Sequence, residues 1–123
     1  MHILFFEKDL VIDKQLRIFA ERHDIEAYVT DSPEQALHIA KSTVFDAAVI
    51  VNDAEFGSSE GAHLAAALRR LHAELPIVLV FNSSIPRSHE GDAELHKPYS
   101  PSSLIEAIGN AIMARRFLNS TGG

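Results

Sequence analysis

Glu7, Lys8 and Asp9 stand together directly after the first apolar run of the chain, Asp53 follows a later run, and Lys97 follows the last. Three carboxylates and two ammonium groups collected at the ends of strands would form an acidic pocket remodelled by lysine. Spread along a sheet rim, the same groups would be solvated charges with small mutual energies. Placement at strand ends favours the shared pocket. Within it, a metal-free cluster in which Lys8 and Lys97 neutralise Glu7 and Asp53 is expected ahead of a cation site, for which Glu7, Asp9 and Asp53 are the weak candidates. Other chemistries find little support. The absence of cysteine removes disulfides, thiolate nucleophiles and cysteine-ligated metals. The seven histidines show no His-x-His or His-Glu-x-x-His spacing. Ser83, Ser84 and Ser88 have no catalytic His–acid arrangement legible in the sequence, and residues 7–10 contain no glycine for a dinucleotide loop. The guanidinium forks of Arg69-Arg70 and Arg115-Arg116 suit phosphate oxygens. A solvated helix face and a dipole-compensating helix end account for them without a ligand.

These groups need elements to carry them, and hydrophobic periodicity supplies an alternation. Ile3-Leu4-Phe5-Phe6 is an unbroken apolar run, Phe45–Val51 is the most apolar strand of the chain and Ile77–Phe81 is another buried one, as expected of strands covered on both faces. Residues 25–30 are half-polar, as in an edge strand, and Ala93–His96 is a brief last strand. Between them, Ile12, Leu16 and Phe19 fall at helical spacing, as do Leu64, Leu68 and Leu71. Ser32-Pro33 opens a helix, with Gln35 placed to reach back as in a capping box. Ser100-Pro101 opens the final helix, with Leu104, Ile105, Ile108 and Ile112 as its expected buried stripe. Residues 82–92, broken by Pro86 and Gly91, leave a helix there doubtful. Strands alternating with helices imply right-handed crossovers and a parallel sheet, whose sites lie at the carboxyl ends of the strands.

With 123 residues, 46% of them hydrophobic, the chain is sized for one domain with a real core, expected over 1–118 with a disordered tail at 119–123. A net charge of −6 argues against a nucleic-acid partner, and no apolar run has membrane-spanning length. The first residues lack the features of a secretory signal, so the cytoplasm is the default compartment.

In this order, four features resemble a response-regulator receiver domain of the CheY-like, flavodoxin-like kind. They are Ile3–Asp9, Phe45–Ile50, Pro76–Val80 and Lys97-Pro98-Tyr99-Ser100-Pro101. The resemblance covers nearly the whole chain. It implies an α/β domain of three layers, with a five-stranded parallel sheet in order 2-1-3-4-5 and helices on both faces, the fourth short or absent. In that family an aspartate ending the third strand accepts a phosphoryl group from a histidine kinase. Acids after the first strand hold Mg²⁺, a hydroxyl after the fourth senses the phosphate, and a lysine pairs with it.

Carried over residue by residue, the pattern is broken. Glu7 keeps the first acidic position and Lys8 replaces the second. Counting forward from Phe45-Asp46 puts the acceptor position at Val51, and the hydroxyl position falls on Phe81. Only Lys97 matches without qualification. Counting back from Gly61, which resembles the glycine opening the family's third helix, puts the acceptor at Asp53 instead. The Val51 fit leaves the central strand regular and is preferred. The expected pocket is therefore Glu7, Lys8, Asp9, Asn52, Asp53, Phe81, Asn82 and Lys97.

The resemblance implies a degenerate pseudo-receiver of a two-component or phosphorelay system, not an enzyme and without a cofactor. Its partner would be a histidine kinase, an output domain or another receiver, with a homodimer also open. The alternatives are a receiver phosphorylated on Asp53 with Mg²⁺ and, more weakly, a module binding a cyclic dinucleotide through arginines.

Overall fold

A computed structural model describes residues 1–52, 60–81 and 91–121. Its elements run β1 (His2–Phe6), α1 (Leu10–Arg22), β2 (Glu26–Thr30), α2 (Pro33–Ser42), β3 (Ala47–Val51), α3 (Glu60–Leu71), β4 (Ile77–Phe81), β5 (Ala93–His96) and α4 (Pro101–Thr121). The strands form one parallel sheet in the order β2-β1-β3-β4-β5, as expected. The doubtful helix between β4 and β5 falls on residues outside those described.

The three apolar runs became the inner strands because each has two faces to bury. Ile3, Phe5, Val49, Val51, Val78 and Val80 point to the side covered by α1 and α4. Leu4, Phe6, Ala48, Ile50, Leu79 and Phe81 point to the side covered by α2 and α3. Alternate residues thus serve opposite cores, each large side chain contributing roughly 1.5–3 kcal/mol by leaving water. The half-polar β2 is an edge strand, with only Thr30 buried. No helix among the described residues is long and apolar enough to cross a membrane.

Several local expectations are corrected. Gln35 does not close a capping box. Its backbone N–H donates to Ser32 Oγ at 3.2 Å, but its side chain accepts from Thr30 Oγ1 at 3.2 Å, and Ser32 N–H is taken by the same Thr30 hydroxyl. On α3, Leu64 and Leu68 are buried while Leu71 is exposed, and Leu75 beyond the helix is buried instead. On α4 the buried residues are Leu104, Ala107, Ile108 and Ala111, while Ile105 is 43% exposed and Ile112 is only partly covered. Leu104 and Ile105 lie a hundred-odd degrees apart around the helix, so only one of them can face the sheet. α4 runs on to Thr121, into the segment expected as a tail.

Gly109 sits in mid-α4 with nothing within 4 Å of the position a Cβ would take. Gly109→Ala is therefore expected to raise stability by about 0.5–1 kcal/mol, read as a higher urea midpoint by far-ultraviolet circular dichroism.

Candidate functional site

The carboxyl edge of the sheet brings Glu7, Val51, Asn52, Phe81 and Lys97 together because all of them follow or end neighbouring parallel strands. The β1–β3 register pairs Phe6 with Ile50, so the next residues, Glu7 and Val51, lie side by side at the rim. Glu7 is held from several directions. Its N–H donates to Thr30 O at 3.0 Å, and its Oε2 accepts from Lys8 N at 2.9 Å and Asp9 N at 3.1 Å. Lys97 extends the β4–β5 ladder, its N–H donating to Phe81 O at 2.7 Å, and the Lys97–Pro98 peptide is cis. From there its Nζ lies 3.2 Å from Glu7 Oε1 and 3.3 Å from Oε2. With side chains 1% and 14% exposed, Glu7 and Lys97 form a shielded ion pair rather than a surface contact.

Lys8 is a correction. Its side chain pairs with Glu60 Oε1 at 2.5 Å, at the start of α3, a partner the sequence reading did not offer. Asp9 is another. It caps α1, its Oδ1 accepting from Val11 N at 2.8 Å and Ile12 N at 3.3 Å. Asn52 is buried and also works locally, its Oδ1 accepting from Ala62 N at 3.2 Å and so tying the end of β3 to α3. A Cβ on Gly61 would lie 2.8 Å from Asn52 Cα and closer still to Val51 O, so α3 seats against β3 only because residue 61 has no side chain. Val51 is buried in the core under α1 and α4, and Phe81 in the opposite core with its ring 5.7 Å from that of His96. Asp53 and Asn82 lie outside the described residues.

Mg²⁺ requires several oxygen ligands in near-octahedral order. The described residues do not fit it. Glu7 is balanced by Lys97, Asp9 is spent on a helix cap, Lys8 brings a positive charge to the rim, and no three His, Asp or Glu side chains among the described residues converge.

Tyr99 follows the Lys97-Pro98 step, and burial pushes its hydroxyl up from 10.0 to about 12, with the Glu7 carboxylate adding to the rise. The folded state thus keeps this phenol neutral where the unfolded chain ionises it. Its contribution to stability is complete below pH 10.0 and is lost as pH rises through about 12. That loss should be on the order of 1–2 kcal/mol after screening by solvent. An alkaline absorbance titration should show a late tyrosinate transition that disappears in Tyr99→Phe.

Two of the four arginines considered for phosphate contacts, Arg69 and Arg115, are engaged with a carboxylate. At the amino edge of the sheet Asp92, with a side chain 5% exposed, accepts Arg69 Nη2 and Arg115 Nε at 2.8 Å each, and Ile77 N at 2.9 Å. Arg115 is therefore an ion-pair partner rather than a compensator of the helix dipole. Sequence reasoning passed over Asp92, Glu60 and Thr30. Each meets its partner through the fold, and only a polar residue beside an apolar run hinted at any of them.

No protein-family model and no curated protein matches the sequence. Solved structures do match. A sensor protein from Polaromonas sp. JS666 is 25% identical, with 93% of this chain and 97% of that one covered at a TM-score of 0.77. The N-terminal domain of a response regulator/sensory box/GGDEF three-domain protein from Carboxydothermus hydrogenoformans is 17% identical, with full coverage of both chains at 0.78. The receiver domain of a sensor histidine kinase from Pseudomonas aeruginosa PAO1, solved with a magnesium ion in its active-site cleft, is 17% identical, covering 91% and 97% at 0.76. Fold and strand order together define the class: this chain has the CheY-like fold of response-regulator receiver domains.

Proposed function

We propose that this chain is a cytoplasmic signalling module of a two-component type that acts by binding another protein, without a cofactor and without taking a phosphoryl group by the usual route. The observation that carries this reading is the Lys97–Glu7 ion pair beside Val51. Phosphoryl transfer to a protein carboxylate needs a nucleophilic oxygen and cations to gather the charge of the transferred group. Val51, at the acceptor position by the preferred count, has an aliphatic side chain buried in the core, and the Lys97 ammonium is already matched by Glu7. Phe81 puts a buried ring where a phosphate-sensing hydroxyl would stand. What remains is a framework with a self-neutralised pocket, suited to holding one conformation for a partner such as a histidine kinase, an output domain or another receiver. The three-domain protein of like fold supports a partner of that kind.

The test is intact-mass analysis of the wild type and Asp53→Asn side by side, after incubation with acetyl phosphate and Mg²⁺. The expected result is no phosphoryl adduct on either. An adduct on the wild type alone would make Asp53 the acceptor and overturn the proposal. An adduct on both would overturn it through a different residue.

A further inference from the structure

A cavity of about 840 Å³ lies at the amino edge of the sheet, the margin opposite the Glu7–Lys97 rim. Pockets for small molecules typically span about 300–1,000 Å³. The residues that lead into β3 and β4 meet the second half of α4 there. Its apolar lining includes Phe45 and Leu75, both buried, and Ile112, partly covered. The charged and titratable groups around it divide into two kinds. Three are spent within the fold. Asp46 Oδ2 accepts from His2 N at 2.7 Å, and His72 Nε2 donates to Ala40 O at 2.7 Å. Arg115 donates to Asp92 at 2.8 Å and, more loosely, to Ala73 O at 3.4 Å. The other two are Glu74, between α3 and β4, and Arg116, on α4. Both are exposed, and neither has a hydrogen bond or ion pair among the described residues, with each other or with anything else. One unspent acid and one unspent base thus border a largely apolar hollow.

We propose that this cavity binds a free α-amino acid with a large apolar side chain. Its carboxylate would meet Arg116, its ammonium Glu74, and its side chain Phe45, Leu75 and Ile112. The charges select a zwitterion by elimination. A simple anion would meet repulsion from Glu74 and Asp46, and a simple cation from Arg115 and Arg116. A neutral apolar molecule would strip water from both unspent charges and give them nothing in exchange. A zwitterion offers each its opposite, and the guanidinium fork suits a carboxylate in particular. Both side chains stay close to water, so the ion pairs are modest and the Kd is on the order of 0.1–1 mM. A bound amino acid would also join the segment after α3 to α4, which the long Arg115 contact to Ala73 O links there now. Binding to the folded chain alone therefore raises its thermal midpoint.

The experiment is a titration of the isotope-labelled chain with L-phenylalanine, followed by amide chemical shifts in nuclear magnetic resonance. Two analogues run beside it: hydrocinnamate, which lacks the ammonium, and phenethylamine, which lacks the carboxylate. Phenylalanine should give saturable shifts centred on Ala73, Glu74 and Arg116, and each analogue should bind about tenfold more weakly. Arg116→Gln should cost phenylalanine about tenfold and erase its advantage over phenethylamine. Glu74→Gln should erase its advantage over hydrocinnamate instead. Both positions are exposed, so the circular dichroism melts of the ligand-free variants should match the wild type. No saturable shift up to about 10 mM phenylalanine overturns the proposal, as do shifts confined to other surfaces. An analogue that binds as tightly as phenylalanine, or an advantage that survives in the matching variant, overturns the zwitterion assignment.

Discussion

Asp92→Ala is expected to lower the stability of the domain by about 3 kcal/mol, measured by urea denaturation followed by far-ultraviolet circular dichroism. The carboxylate stands between two guanidinium groups whose side chains are 19% and 20% exposed, and it also satisfies the first N–H of β4. Removing it leaves two half-desolvated cations facing each other across a cavity and a strand N–H without its acceptor. The cost comes from those orphaned groups rather than from a strong attraction. Burial raises the Asp92 carboxyl above its ordinary 3.8, and the Ile77 N–H and Arg69 pull it down by less. The folded state therefore holds this proton more tightly than the unfolded chain does, and Asp92 contributes less as pH rises through that range. Two controls follow. Arg69→Met should reduce the cost of removing Asp92, and replacing Arg69, Asp92 and Arg115 together by apolar residues should recover most of the loss. A loss below about 1 kcal/mol for Asp92→Ala would mean that the two arginines find water or other partners as easily.

Gly61→Ala should cost a similar amount, about 3 kcal/mol, by the opposite mechanism of overfilling. The added methyl would press on backbone, Val51 O and Asn52 Cα, which cannot swing aside as a side chain can. α3 would have to lift from the end of β3. That movement would stretch the Asn52 Oδ1 contact to Ala62 N and carry Glu60 away from Lys8. The same Gly→Ala exchange at Gly109, where the space is open, should act with the opposite sign. Comparing the two urea midpoints separates local packing from helix propensity within one chain. A Gly61→Ala protein as stable as the wild type would show that the start of α3 has room to shift.

The strands and the course of the helices were legible because they rest on periodicity, a property each segment carries alone, whereas the strand order was implied by the resemblance to receiver domains. Lys97 was legible for a related reason: the Lys-Pro-Tyr step and its place after the last strand fix it at the rim. Glu7 was found by its place after the first strand, yet its burial and its pairing with Lys97 are products of the closed sheet. The Lys8–Glu60 contact was not legible because Glu60 reaches Lys8 only when α3 folds back across the sheet edge. Arg115 was read as a helix-end charge for the same reason, since Asp92 is distant in sequence and adjacent in space. Ile105 failed differently. An apolar residue next to Leu104 looks like core in a list of residue types, but one step around a helix turns it to the outside.

The sheet's two margins bear on how the protein behaves when crowded. A parallel sheet leaves a row of backbone donors and acceptors along each outer strand, and such rows invite another chain to add on. Here those strands, β2 and β5, are five and four residues long, and each carries a glutamate, Glu26 and Glu94. Short, charged margins make lateral growth of the sheet unfavourable, so concentrated solutions should stay clear rather than form fibrils. Assembly is thereby steered to the helices, where contacts are made by side chains and can come apart again.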